Sequence, residues 1–457
     1  MVFSSILFLF VFLFLLLIYY VVPFKFKNFT IMLLSFIFYS WGEPKYFFIM
    51  VGTIFVNYIL AIIMDFYTNN KIICKFMVTI SVLFNVGELF FFKYYNFFVD
   101  NIKLITGLDF KILNLTLPLG ISFYIFQILS YTIDVYRKKV KAEKNIIDFA
   151  SFVVLFPQLI AGPIVKYTDI NKELKYRKIT GLKVQDGIRI FILGLGKKVL
   201  IANNIGALWS EIELIGFSNI SSVLAWCGIA AFAIQIYFDF SGYSLMAIGL
   251  GKMLGFSFPQ NFNYPYVSRS VTEFWRRWHI TLSLWFKEYL YIPLGGNRCS
   301  KLRMVFNLFV VWFATGFWHG ANWNFIFWGI FFFIFLIIEK LGFLKFLEKH
   351  KVFSHAYLIL VILVSWALFA ITDLENLKIF FFKLFSFNLK ADWIYYVRNY
   401  IVVFILGVVF STKLLNKVYY KVIKNIYINT LISMVILVLS IAYLVDATYN
   451  PFLYFRF

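Results

Sequence analysis

Charge is what this sequence has least of. Only 14% of its 457 residues are Asp, Glu, Lys or Arg, and a soluble chain of this length needs far more charged surface than that. With a mean hydropathy of +0.83, the membrane class follows before any motif is read. Acid is scarcer than base: 22 Asp and Glu stand against 43 Lys and Arg, a formal net charge of +21. Cysteine is also scarce. Cys74, Cys227 and Cys299 are scattered, with no CxxC pair, which supports neither a disulfide framework nor a zinc site; they read as small apolar filler. No polar stretch is long enough to build a soluble domain of its own, and no internal repeat of the transporter kind is visible. The tetrapeptide Gly-Leu-Gly-Lys occurs at 194–197 and 249–252, but without the spacing or the Ser/Thr of a phosphate-binding loop. Close helix packing by the glycines, with the lysines reaching an interface, is the favoured reading.

Apolar runs are what the chain has in abundance. The opening "MVFSSILFLFVFLFLLLIYYVVPFKFK" holds roughly twenty apolar positions, enough to cross a hydrocarbon core of ~30 Å. It lacks a basic leader and a small-residue cleavage site, so it reads as a retained span. Further apolar segments fall near 28–41, 46–64, 76–98, 117–133, 148–165, 188–208, 221–238, 242–256, 303–318, 323–338, 357–372, 399–415 and 430–447. Several are short, so the expectation is an all-α, polytopic membrane helical bundle of roughly ten to twelve spans plus re-entrant pieces. We expect one domain over 1–457, with core motifs at about 117–345 and C-terminal helices and tail at 352–457. Basic residues cluster in short breaks such as "YRKKVKAEK" (136–144) and "KYTDINKELKYRK" (166–178). These act as topology signals facing the cytoplasm and attract anionic lipid head groups. A nucleic-acid partner is not expected, because no soluble basic domain exists to carry one.

The most informative stretch runs from 235 to 298. "SVTE" (270–273) fits a capping box in which Ser270 accepts from the Glu273 amide and the Glu273 carboxylate reaches back. A helix is predicted from about Val271 to Pro293–Gly296, with Trp275, His279 and Ser283 on one face and Glu273 spaced to pair with Arg277. Of four histidines, His350 and His355 lie in a basic loop and read as interfacial. His279 and His319 sit in apolar context, where an ionisable residue is rare and usually faces an interior or a water-filled cavity. Each alone is as readily a hydrogen-bonded packing residue as a functional one; two, in the most motif-dense segments, favour chemistry. Burial keeps an imidazole neutral, so it can act as a general base toward a hydroxyl attacking an acyl carbon. No serine lies beside a histidine in a nucleophile-elbow pattern, and neither histidine has a carboxylate or cysteine cluster at metal-ligand spacing.

"FDFSGYS" (238–244), "FPQNFNYPY" (258–266), "EFWRRWHITLSLWFKEYLYIPLGGNR" (273–298) and "WHGANW" (318–323) together resemble the membrane-bound O-acyltransferase family. The resemblance is greatest to its bacterial branch, the membrane components of alginate and peptidoglycan O-acetylation. "FYSWGEPKY" (38–46), "LPLGISFYIFQILSYTIDVYR" (117–137) and "FPQLIAGPI" (156–164) extend it over nearly the whole chain. Where that branch usually reads Tyr-Ser-Asp-Met, this chain has Tyr243-Ser244-Leu245-Met246, so no acid acts at 245.

The resemblance implies a helical bundle with a central tunnel in the bacterial cytoplasmic membrane. In it His319 is the catalytic histidine, and His279, with Trp275 and Trp318 nearby, is its characteristic companion. Acetyl-CoA is then the donor substrate, with no permanently bound cofactor and no metal. Asp239 is either an ion-pair or helix-terminus contact or a supporting catalytic group. Arg276 and Arg277 either attract coenzyme A phosphates or anchor the helix, and anchoring is favoured. The terminal "NPFLYFRF" has Phe452, Tyr454 and Phe457 in a Phe-x-Tyr-x-x-Phe pattern that resembles the end of the small partner in D-alanylation systems. Tyr454 is therefore either an acetyl relay or an interfacial aromatic anchor. The expected function is transfer of acetyl groups across the membrane for O-acetylation of a cell-envelope polysaccharide, completed by an extracytoplasmic SGNH/esterase-like partner. The alternatives are a teichoic acid D-alanyl transferase and, from another class, a polytopic transporter or flippase.

Overall fold

The computed structural model describes residues 3–108, 110–113, 115–159, 162–415, 425–446 and 453. Among the described residues every regular element is helical. Hydrogen-bonding groups in hydrocarbon must be satisfied within their own segment, and helices do that. Among the described residues, seven helices are long and apolar enough to cross a membrane: Pro44–Phe66, Lys71–Thr106, Gly181–Ile215, Ser222–Met253, Lys351–Ala370, Trp393–Phe410 and Ile426–Asp446. The protein is thus an all-α, multi-pass membrane protein. That is fewer spanning helices than the ten to twelve expected, for a reason of length. Lys27–Gly42, Ile121–Tyr136 and Trp323–Ile338 have 16 residues each, roughly 24 Å at 1.5 Å per residue, short of a ~30 Å core.

The chain divides into two compact units, Met1–Ile190 with Ala247–Pro259, and Phe191–Met246 with Gln260–Phe457. In the first, Ile121–Tyr136 is buried along almost its whole length and packs against Phe47–Phe66 and Lys71–Leu89. A hydrophobic effect cannot hold helices together in lipid, so close packing and interhelical hydrogen bonds must. Here the Ser81 hydroxyl donates to Asn57 Oδ1 (2.7 Å) and lies 3.1 Å from the Thr132 hydroxyl. Asn85 donates to the same Asn57 oxygen (2.8 Å). Tyr124 and Thr53 donate to the Glu88 carboxylate at 3.0 and 2.8 Å. Three helices are tied through one polar seam.

In the second unit, Lys301–His319 packs on Trp323–Ile338. Gly316 and Gly329 meet at the crossing: a Cβ on Gly316 would lie 3.2 Å from the Gly329 Cα and would run into the Phe325 carbonyl. Small residues let two backbones approach this closely. A second crossing of the same kind sets Gly194 against Gly242, where a Cβ on either would come within 2.7 Å of the other's carbonyl oxygen. The packing role expected of the first Gly-Leu-Gly-Lys is therefore present. Its lysine, Lys197, lies over the rings of Tyr237 and Phe238 (5.8 Å each), while Lys252 of the second copy pairs with Asp186 (2.9 Å).

Two expectations about helix ends change. Segments 221–238 and 242–256 are one helix, Ser222–Met253, because Gly242 serves a packing contact and does not end the helix. Conversely, the helix predicted from Val271 to about 293 is broken. Val271–Arg277 and Ile280–Phe286 are separate, with His279 at φ 42° and ψ 54° between them. Trp275, His279 and Ser283 do not share a continuous face. The N-terminus itself forms as predicted, with the Ser270 hydroxyl accepting from the Glu273 amide (3.0 Å). The Glu273 carboxylate, however, accepts from Arg269 N–H (2.9 Å), one residue upstream of the cap. A second acid completes this helix start. Buried Glu339 accepts from the amides of Val271 (2.6 Å) and Thr272 (2.8 Å), from the Thr272 hydroxyl (2.6 Å) and from Tyr357 (3.2 Å).

Two stability predictions follow from these contacts. Gly329→Val forces the crossing apart and should lower stability by about 1–3 kcal/mol, as overpacking does. A melting temperature in detergent equal to that of the wild type contradicts the close crossing. Glu339→Ala leaves the two amides without an acceptor and should cost about 2 kcal/mol or more. Glu339→Gln, which keeps an acceptor oxygen, should lie between Glu339→Ala and the wild type in the same melting measurement.

Candidate active site

The helix break at residues 278 and 279 exposes backbone groups that helical bonding would have satisfied, and a neighbouring extended segment takes them over. Asn261 O accepts from Ile280 N–H (2.9 Å), and Arg277 O accepts from Asn263 N–H (2.9 Å). The Asn261 side-chain oxygen accepts from Thr281 N–H (3.2 Å) and the Thr281 hydroxyl (2.9 Å), and lies 3.2 Å from His279 Nδ1. A backbone N–H can only donate, so Thr281 fixes the oxygen of Asn261 on this side. His279 must then donate from Nδ1, which leaves the lone pair on Nε2. His279 Nε2 is buried and has no hydrogen-bond partner, and the same holds for Asn261 Nδ2. A left-handed conformation at a non-glycine residue costs of order 1–3 kcal/mol, and the Asn261 contacts are what hold His279 in it. His279 lies outside the seven candidate spans, and burial lowers its imidazole to about 3. It is a neutral, base-competent ring at physiological pH.

His319 is the last residue of the helix Lys301–His319 and is half-buried. The edges and faces of three rings surround it: Trp318 (5.0 Å between centroids), Trp328 (5.0 Å) and Phe369 (5.3 Å). Local contacts build this enclosure. Gly320 leaves room for the Phe325 ring, which any Cβ there would strike. Asn324 donates to the carbonyls of Leu368 (3.1 Å) and Phe369 (3.3 Å), bringing the end of Lys351–Ala370 against the histidine. The Trp328 indole nitrogen is buried without a partner. Trp318 joins the two histidines, with its ring 6.2 Å from that of His279. Phe240 meets His279 edge-on at 4.8 Å. The two predicted histidines therefore belong to one aromatic cluster of the second unit, joined through Trp318.

The other expected residues separate by role. Trp275 is buried against Trp312 (4.7 Å), Phe332 (5.0 Å) and Trp328 (5.6 Å), behind the ring that faces His319. Arg277 pairs with Glu273 (2.8 Å) and donates to Asn263 O (3.2 Å); it anchors the broken helix to the 261–263 segment. Arg276 is exposed. His350 and His355 are exposed, but the basic loop expected there is not present: His350 precedes the helix Lys351–Ala370 and His355 lies within it, with Nδ1 3.1 Å from Ser268 O.

Asp239 forms the expected ion pair, and its partner is Lys198 (2.7 Å), both side chains almost wholly buried. Lys198 also donates to Asn203 Oδ1 (2.7 Å). The turn Lys197–Asn203 is π-helical, so residues five apart lie over one another. The other Asp239 oxygen accepts from Leu453 N–H (2.9 Å), and Leu453 is itself buried. Tyr454 lies outside the described residues. Among the described residues no three His, Cys, Asp or Glu side chains are grouped to hold a metal.

Sequence reasoning did not single out Asn261, Lys198, Glu339, Trp328 or Phe369. Asn261 lay within a quoted motif, and Lys198 and Glu339 are charges at the ends of apolar runs, which is the signal that marks them. Trp328 and Phe369 carry none beyond aromaticity.

Residues 141–346 match the family model of the membrane-bound O-acyltransferases. The chain is 38% identical to the probable alginate O-acetylase of Azotobacter vinelandii over 399 residues, covering 86% of this chain and 79% of the relative. It is 37% identical to the peptidoglycan O-acetyltransferase of Helicobacter pylori over 358 residues, 72% of this chain and 66% of that one. Its likeness to the teichoic acid D-alanyltransferase of Streptococcus thermophilus is lower, 28% over 48% of this chain and 56% of the relative. The chain belongs to the membrane-bound O-acyltransferase family and is an acyltransferase.

Proposed function

We propose that the protein passes acetyl groups from cytoplasmic acetyl-CoA across the bacterial cytoplasmic membrane, for O-acetylation of a cell-envelope polysaccharide of the alginate or peptidoglycan kind. The observation that carries the reading is the aromatic cluster shared by His319 and a neutral His279. In it, His319 takes the proton from an acceptor hydroxyl as that oxygen attacks the thioester carbonyl carbon. A carbon–oxygen bond forms, the carbon–sulfur bond breaks, and the proton passes from the imidazole to the departing thiolate. The surrounding rings exclude water, which would otherwise hydrolyse the activated acyl group. His279 Nε2, which lacks a protein partner, holds the acceptor hydroxyl or the carbonyl-bearing group in line.

The first acceptor in this proposal is the Tyr454 phenol, from which an extracytoplasmic esterase-like partner moves the acetyl group to the sugar. The Leu453 amide on Asp239 supports this, because the residue just before Tyr454 is tied to the unit that holds both histidines. The names of the relatives most similar to this chain favour acetyl over D-alanyl transfer, since the D-alanyltransferase relatives match only about half of it.

His319→Ala should reduce release of free CoA from acetyl-CoA by roughly 10²–10⁴-fold, with unchanged melting in detergent; a folded variant that retains turnover removes the base assignment. Tyr454→Phe should abolish both labelling of the protein by radiolabelled acetyl-CoA and acetylation of the polymer in cells, and full polymer acetylation in that variant rules out the relay. Asp239→Leu should destabilise by about 3–5 kcal/mol, because it strands a buried lysine. In the double variant Lys198→Met/Asp239→Leu, stability should recover while acetyl transfer does not. Recovery of both reduces the pair to a structural role.

A further inference from the structure

Far from the histidines in sequence, the first unit contains two basic side chains that no carboxylate neutralises among the described residues. Lys27 and Arg177 are both buried, at 9% and 5% exposure. Arg177 donates from Nε to the Tyr19 hydroxyl (2.9 Å), and from Nη1 to Asn28 Oδ1 (2.7 Å) and Glu173 O (3.1 Å). Its guanidinium lies 4.5 Å from the Phe256 ring centre, and Nη2 is buried with no partner. Lys27 donates to Tyr19 O (2.6 Å) over the Tyr19 ring. All these partners are neutral. The acids on adjoining elements are already engaged: Glu143 and Asp148 hold Lys175 (2.7 Å each), Asp186 holds Lys252 (2.9 Å), and the Glu173 carboxylate accepts from Ser257 N–H (2.8 Å).

A buried charge without a counter-charge costs several kcal/mol, so two cations placed this way need an anion. They also raise the cost of each other's charge: Arg177 and burial together lower the Lys27 pKa. Both line a cavity of about 390 Å³, with Tyr20, Ile179, Thr180, Gly181 and Val184. The last two residues belong to the first turn of the 16-residue helix Gly181–Gly196, whose N-terminus carries a partial positive charge; Thr180 accepts from the Lys183 and Val184 amides (3.3 and 3.1 Å).

We propose that Lys27, Arg177 and the first turn of Gly181–Gly196 form a binding site for a phosphate ester. Two fixed cations and a helix N-terminus suit a phosphate better than a single carboxylate. The cavity volume leaves room for the group esterified to it. Two sources present this chemistry: the head group of an anionic phospholipid, and the phosphates of a coenzyme A-type donor. The proposal is independent of the acetyl-transfer reading, and binding alone tests it.

The experiment uses the full chain purified in detergent, as wild type and as Val184→Glu and Val184→Lys, which change the charge of the cavity lining without touching Arg177 or Lys27. Native mass spectrometry measures retention of phosphatidylglycerol against phosphatidylcholine, and equilibrium binding compares CoA with pantetheine, which lacks the phosphates. The wild type should bind at least one phosphate probe over its control. Val184→Glu should weaken that binding by about tenfold or more, the scale of one charge-assisted contact, and Val184→Lys should tighten it. Shifts of opposite sign cannot come from misfolding. Charge-dependent retention of phosphatidylglycerol assigns the site to lipid, and charge-dependent binding of CoA over pantetheine assigns it to the donor. Equal affinities in the two variants for both probes, or no preference of the wild type for phosphate, overturn the proposal.

Discussion

The candidate active site depends on one interrupted helix. At residues 278 and 279, both buried, the chain leaves the helical path and frees hydrogen-bonding groups that must find partners. Asn261 and Asn263 take them, through the Asn261 carbonyl on Ile280, the Asn261 side chain on Thr281 and His279, and the Asn263 amide on Arg277. One asparagine oxygen therefore determines both the backbone path at His279 and the tautomer of its ring. A protonated Nδ1 on the asparagine and a bare Nε2 toward the cluster is the only arrangement these donors allow.

The surroundings of His319 follow the same logic with different groups. Its ring is positioned by packing: the glycine crossing at Gly316 and Gly329 brings two helices to backbone contact, and Asn324 draws Phe369 in from a third. Trp318 then faces both histidines at once. The rings of Trp318, Trp328 and Phe369 make the surroundings of His319 apolar. The cost is that each polar group inside needs a partner from the protein or from a substrate. Among the described residues, the Trp328 and Trp275 indole nitrogens, Asn261 Nδ2 and His279 Nε2 are buried without a protein partner.

Charges away from the cluster follow the opposite strategies open to a buried ion. Asp239 and Lys198 neutralise each other and also receive the Leu453 amide. Glu339 is neutralised by dipoles, accepting from two amides at a helix start, where the helix field favours an anion. Lys27 and Arg177 have neither solution among the described residues: their hydrogen-bond partners are all neutral.

The sequence alone determined the class, the family and the two histidines. Apolar run length is a one-dimensional property that decides whether a helix can cross a bilayer, and motifs such as "WHGANW" keep their residues adjacent along the chain. Helix starts were legible for the same reason, as at Ser270, where the cap and the amide that donates to it lie three residues apart. What the sequence did not show is every relation across long separations. Asn261 ends the helix at His279 from 18 residues away, Lys198 meets Asp239 on the separate helix Ser222–Met253, and Glu339 caps a helix that begins at Val271. Gly242 looked like a break between two segments and proved to be the contact face of one long helix. Periodicity reports what a segment prefers alone; which segments break, and which charges pair, was decided only when packing in a water-poor interior made every unsatisfied group costly.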